Sequence, residues 1–153
     1  MVLLAAYGKI CPELFGAHQN SMSMRFAMTD GEGSPSIKTV LIVEDDQDIG
    51  SFILRAILDE TSHQAILVTD GRKALETIKS LKPNLLVLDY HLPRMNGIEL
   101  YDHLRTHEEL EHVPVILMSA RLPKNEARKR NMVCLEKPFE LDALLKTIED
   151  LIV

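Results

Sequence analysis

Three apolar runs in this chain each stop abruptly on a polar group, and that pattern leaves few folds open. They are LIVEDD (Leu41 to Asp46), LLVLDYHLP (Leu85 to Pro93) and VILMSA (Val115 to Ala120). A further stretch, CLEKPF (Cys134 to Phe139), carries a lysine. A run of Val, Ile and Leu without polar alternation reads as a strand buried on both faces. Such strands belong to parallel sheets, where polar residues just past the carboxyl ends line the ligand crevice. Glu44, Asp45, Asp89, Ser119 and Lys137 are therefore expected to converge on one edge of one sheet.

Strand-like runs alternate with helix-like ones from Thr39 onward. The strands are expected at Thr39 to Val43, Ala65 to Val68, Leu85 to Leu88, Val115 to Met118 and Met132 to Leu135. Asp46 or Asp48 can cap a first helix through about Glu60, with Ile49, Phe52, Ile53, Ala56 and Ile57 on one face. A second helix runs from Gly71 to about Leu81, with Ala74, Leu75, Ile78 and Leu81 inward, until Pro83 and Asn84 break it. A third runs from Gly97 to about Thr106. The fourth, Lys124 to Arg130, is short and very basic. The last spans Glu140 to Leu151, with Leu141, Leu144, Leu145, Ile148 and Leu151 on one face. Such β–α repeats predict an α/β fold with right-handed crossovers. The expected form is a flavodoxin-like, doubly wound, five-stranded parallel sheet with strand order 2-1-3-4-5 and a shortened helix 4. That order sets the acids of the first strand beside Asp89.

The 153 residues suit one domain with a real core, and 46% hydrophobic content excludes a mainly disordered chain. Residues 1–36 read as a flexible N-terminal extension and 37–153 as the domain, because TDGEGSPS (Thr29 to Ser36) is loop chemistry. A short helix around Pro12 to His18 fits this extension, and Met22, Met24 and Met28 read as tail composition. The formal charge of -6 gives no reason to expect nucleic acid as a partner. Cys11 and Cys134 form no motif, which suits a reducing cytoplasm. No apolar stretch reaches membrane-spanning length, and the start lacks the basic region of a signal peptide.

Glu44, Asp45 and Asp89 would crowd three carboxylates together, which is unfavourable without compensation. A hard divalent cation resolves the conflict, and Mg2+ favours a few carboxylates, water and a phosphate oxygen. With the Ser119 hydroxyl and the Lys137 ammonium added, the set can hold a transferring phosphoryl group. A carboxylate can then accept it as an aspartyl phosphate. Singly, each piece is weak: an acid after a strand is most often a helix cap, as Asp46 is expected to be, and Lys-Pro is most often a turn.

Taken together, residues 38–153 resemble the response regulator receiver domain of two-component signalling. The pair Glu44–Asp45 matches the family's metal-binding acids. LDYHLPRMNG matches its phospho-acceptor motif, with Asp89 as acceptor and Gly97 opening the next helix. MSA places Ser119 at the Ser/Thr switch position, and EKPF supplies Lys137 and Pro138, where the family's peptide bond is typically cis. The resemblance implies a metal held by Glu44, Asp45, Asp89 and the backbone carbonyl of His91. It implies phosphoryl transfer from a histidine kinase or phosphotransfer protein, with Ser119 and Lys137 holding the phosphoryl oxygens. The expectation is a cytoplasmic phosphoacceptor, not an enzyme, with no output domain after Val153. It would signal through contacts with an unspecified downstream protein; homodimerisation is left open. Alternatives are an adaptor of the same fold that is never phosphorylated, and a haloacid-dehalogenase-type phosphatase. The latter wants a second Asp where His91 stands.

Two departures bear on output. The family often carries an aromatic residue three positions before the lysine, where this chain has Cys134. The stretch from Ser119 to Lys137 is also shorter than usual by roughly one helical turn. The signal is therefore expected to leave through Lys124 to Arg130 rather than through a swinging ring. RLPKNEARKR (Arg121 to Arg130) reads first as a solvated face, second as a docking surface for an acidic partner, and third as a nucleic-acid contact. His103 and His107 lie one helical turn apart, with His112 beyond, but nothing completes a metal motif. His91 sits where its side chain would meet attacking water or serve only as surface.

Overall fold

The computed structural model describes residues 36–152. Expectations that fall on residues 1–35 (the flexible extension, the Pro12 to His18 helix, Cys11 and the methionine cluster) lie outside the described residues. Five parallel strands, β1 (Thr39–Val43), β2 (Gln64–Val68), β3 (Leu85–Asp89), β4 (Val115–Ser119) and β5 (Val133–Glu136), form one sheet in the order β2-β1-β3-β4-β5. Between and after them run α1 (Gln47–Glu60), α2 (Gly71–Thr77), α3 (Gly97–Leu104), α4 (Lys124–Lys129) and α5 (Leu141–Leu151). No helix among the described residues is long and apolar enough to cross a membrane.

The period-2 alternation of side chains divides the core in two. Leu41, Val43, Leu86, Leu88 and Leu117 face one side, with Ala74 of α2, Leu100 and Leu104 of α3 and Ala127 of α4. Val40, Ile42, Leu85, Val87 and Ile116 face the other, with Ile53 and Ile57 of α1 and Leu144 and Ile148 of α5. Helices therefore cover both faces, and β1, β3 and β4 are apolar between their end residues Thr39, Asp89 and Ser119 because neither face meets water. Each fully buried Leu or Ile contributes about 1.5–3 kcal/mol of transfer free energy.

Asp46 caps α1, its side chain accepting from the amides of Asp48 and Ile49 at 3.0 Å each. The inward face of α1 differs from expectation. Gly50, Ile53, Ala56 and Ile57 are buried, whereas Ile49 is 37% and Phe52 56% exposed. Gly50 packs against the sheet: a Cβ there would lie 2.8 Å from Leu67 Cδ1, so a larger residue would make the Leu67 side chain shift. Counting apolar residues alone gave Gly50 no weight and turned the helix toward Phe52.

Two helices end early. Past Thr77 the chain tightens into i→i+3 bonds, Lys79 N to Glu76 O and Ser80 N to Thr77 O, leaving Leu81 beyond α2. α3 stops at Leu104, and a single 3-10 turn, Glu108–Leu110, follows that the sequence pattern did not announce. Arg105 organises this connection. Its guanidinium donates to the carbonyls of Leu110 and Val113 and lies over the Tyr101 ring, 4.6 Å from the centroid. α4 is short, as expected, with six residues. Arg130 after it pairs with both Asp102 oxygens at 2.7 and 2.8 Å, which fastens this end of α4 to α3.

Candidate functional site

Strand register brings the polar groups together. Val43 pairs with Leu88 and Asp89 with Met118, so Glu44, Asp89 and Ser119 stand at neighbouring carboxyl ends. α3 approaches so closely that a Cβ on Gly97 would lie 2.6 Å from the Asp89 carbonyl oxygen. Gly97 is thus required to bring the α3 N-terminus against the end of β3, where Asn96 and Glu99 form a reciprocal capping box. Lys137 follows β5, its amide bonded to the Ser119 carbonyl at 3.0 Å, and the Lys137–Pro138 peptide is cis as the resemblance implied.

The Lys137 ammonium bridges two acids, donating to Glu44 Oε2 at 2.8 Å and Asp89 Oδ1 at 2.9 Å. The other Asp89 oxygen accepts from the His91 amide at 3.1 Å, and Glu44 Oε1 from the Asp46 amide at 3.3 Å. Glu44 is 1% and Asp89 4% exposed, whereas Asp45 faces solvent. Burial pushes the Glu44 carboxyl up; the Lys137 hydrogen bond opposes this, and the Asp89 charge adds to the rise. Burial also works against the Lys137 ammonium, but its bonds to Glu44 and Asp89 outweigh it and hold the group above its usual value.

Oxygens of Glu44, Asp45 and Asp89 lie within 4.8 Å of one another. An all-oxygen, carboxylate-rich set suits a hard cation such as Mg2+. His103, His107 and His112 are exposed and join no such group among the described residues. His91 is exposed, its ring edge-on to Tyr90 at 4.9 Å. Ser119 is buried at the end of β4, but its hydroxyl is bonded to its own loop rather than to the acids. It donates to the Arg121 carbonyl at 2.9 Å and accepts from the Arg121 amide at 3.1 Å. Cys134 is half-buried on β5, and burial pushes its thiol up.

One feature beside the crevice escaped the sequence reading. Ile49, Phe52, Ile53, Pro138 and Phe139 line an apolar hollow of about 500 Å³ that reaches Lys137. The sequence signal for it is Ile49 and Phe52, three residues apart beside a capping acid, a spacing that equally predicts a core face.

A family model described as the response regulator receiver domain matches residues 40–149. The polar-differentiation response regulator DivK of Brucella anthropi is 30% identical over 116 residues, spanning 73% of this chain and 94% of DivK. The receiver domain of the Francisella response regulator 1452 superposes with a TM-score of 0.68 at 30% identity, covering 75% of this chain and 96% of that one. The chemotaxis response regulator CheY4 of Vibrio cholerae has a TM-score of 0.71 at 23% identity, covering 76% and 99%, and shares the fold.

Proposed function

Because this chain belongs to the response regulator receiver domain family of two-component signalling, we propose that it accepts a phosphoryl group on Asp89, with magnesium, and signals through protein contacts. The observation that carries this reading is the Lys137 ammonium held between Asp89 and Glu44 beside a third carboxylate. An Asp89 oxygen attacks the phosphorus of a phosphohistidine. The O–P bond forms, the N–P bond breaks, and the imidazole nitrogen keeps the electron pair and takes up a proton. Both Asp89 oxygens are already engaged, so one contact must yield; Lys137, 20% exposed, can follow the charge onto a phosphoryl oxygen. Glu44, Asp45, Asp89 and the His91 carbonyl would hold the metal. Neutralisation of charge on the transferring oxygens is what a bound Mg2+ supplies there.

Ser119 would bind another phosphoryl oxygen after giving up its bonds to Arg121. The hollow formed by Ile49, Phe52, Pro138 and Phe139 flanks the crevice and suits the apolar face of a histidine kinase or phosphotransfer protein. The Ser119 hydroxyl closed on its own loop is also what an unphosphorylated adaptor would show. Intact mass after incubation with acetyl phosphate and Mg2+ separates the two. One added phosphate supports the acceptor; none, from a small donor or from several kinases, supports the adaptor.

Magnesium binding should divide unevenly between the acids. Asp45 is exposed and free of the Lys137 bridge, whereas Glu44 already serves Lys137 and the Asp46 amide. Asp45→Ala should weaken Mg2+ on the order of tenfold or more, and Glu44→Gln less. Protons compete for the same oxygens. Since the Glu44 carboxyl lies above its ordinary 4.5, affinity should begin to fall at a pH above that value as acid is added. NMR shifts during titration measure both; equal, negligible effects of the two substitutions would count against the assignment.

Release of Ser119 from Arg121 also predicts where the signal goes. Pro123 precedes α4 at the N-cap and supplies no side-chain cap, while Arg130 fastens the far end. With beryllofluoride, a phosphoryl mimic, hydrogen exchange should change most between Ser119 and Asn131, and most strongly on the Ser119 side. A change confined to α1 would place output on another face.

A further inference from the structure

The connection from β3 to α3 touches the start of α2 at two neighbouring points. Arg94 Nη2 lies 3.6 Å from Asp70 Oδ2. Met95 packs over Gly71, where a Cβ would lie 2.7 Å from the Met95 sulfur and make that side chain shift. Arg94 is also strained. With Asn131 it is one of two non-glycine residues of positive φ among the described residues, at φ 71°. Asparagine tolerates that left-handed conformation, whereas an arginine adopts it at a cost. Asp70 is the fixed end of the contact, its side chain 14% exposed against 69% for Arg94. Its Oδ1 accepts from the Lys73 amide at 2.9 Å and caps α2. That leaves Oδ2 to face Arg94 and, at 3.9 Å, the Lys73 ammonium.

The same connection carries His91, whose amide donates to Asp89 Oδ2 at 3.1 Å. Its base is closed by the Gly97 amide, bonded to the Tyr90 carbonyl at 2.9 Å. In so short a closed loop, a change at Arg94 is passed to the His91 peptide. We propose that Asp70 is a positioning residue for the acidic crevice: by holding Arg94 it keeps the His91 peptide in register with Asp89. An exposed ion pair adds little to global stability, so the effect falls on the geometry beside Asp89 rather than on folding. The consequence for Mg2+ rests on the proposed metal set, which includes the His91 carbonyl; the consequence for the His91 amide does not.

The first measurement is therefore made without metal. Asp70→Asn keeps an oxygen that can accept from the Lys73 amide, but turns an NH2 group toward the guanidinium. Hydrogen exchange of the His91 amide should quicken about fivefold in this variant while the melting midpoint stays put. Arg94→Asn should exchange like the wild type, because asparagine holds the left-handed backbone without an anchor. Arg94→Val, which has neither the pair nor that tolerance, should exchange fastest. Adding Asp70→Asn to Arg94→Asn should change nothing further. In an NMR titration, Asp70→Asn should weaken Mg2+ on the order of threefold, and the double variant should restore the wild-type affinity. Unchanged His91 exchange in Asp70→Asn, a melting midpoint that falls in step with it, or the same effect of Asp70→Asn in the Arg94→Asn background would each overturn the proposal. A wild-type chain that bound no Mg2+ would overturn the metal reading instead, and the exchange result would still decide the role of Asp70.

Discussion

If the proposed function holds, the chain should take up a single phosphate from acetyl phosphate in Mg2+, and Asp89→Asn should abolish it. The substitution is nearly isosteric. Its amide oxygen can still accept from the His91 amide, as Asp89 Oδ2 does at 3.1 Å. What it removes is the anionic oxygen proposed to attack phosphorus, and a neutral amide is a far poorer nucleophile. The expected result is loss of labelling to background rather than partial loss, because neither other acid is placed to replace it. Glu44 is held by Lys137 and the Asp46 amide, and Asp45 lies at the exposed rim. The fold should survive. Removing the Asp89 charge takes away one of the influences that raise the Glu44 carboxyl, so the remaining pair with Lys137 becomes easier to ionise. Unchanged labelling of Asp89→Asn would sink the assignment and send the search to Asp45.

The legible part of this molecule was what strand chemistry dictates. Apolar runs buried on both faces fixed β1, β3 and β4, and the polar residues that end them had to gather at one edge. Helix rotation was less legible. Phe52 and Ile49 fall at apolar spacing, yet Gly50 is the residue buried against Leu67, a contact that exists only when the sheet is present. Loop hydrogen bonds were illegible for a related reason. Nothing in MSAR says that the Ser119 hydroxyl turns to Arg121 rather than to Asp89, since both are acceptable partners and the choice depends on the path of the β4–α4 connection. Nor does a run of five basic residues reveal which are spent on Asp102 and Glu126 and which face open solvent.

Lys137→Ala should separate chemistry from folding by moving two measurements in opposite directions. The ammonium now sits between Glu44 and Asp89, where it competes electrostatically with any cation drawn to the same oxygens. Its removal should tighten Mg2+ binding on the order of tenfold, because a nearby like charge is lost. Phosphoryl uptake should nevertheless fall sharply, since no cation remains to follow the charge onto the phosphoryl oxygen. Stability without metal should also fall. Two carboxylates that are almost fully buried lose their counter-charge, and breaking a sealed pair costs roughly 3–5 kcal/mol. The cost here should be smaller, because the Lys137 side chain is 20% exposed and water reaches the site. The pH sign follows from Glu44. Its carboxyl is already raised, and without Lys137 it rises further, so acid supplies a proton where the lysine supplied charge. The stability deficit of Lys137→Ala should therefore shrink as pH falls, and shrink at neutral pH when Mg2+ is added. Thermal melts with and without Mg2+, at neutral and mildly acidic pH, measure all of this. If the variant stays unfolded under every one of those conditions, Lys137 is structural and its place in the chemistry is wrong.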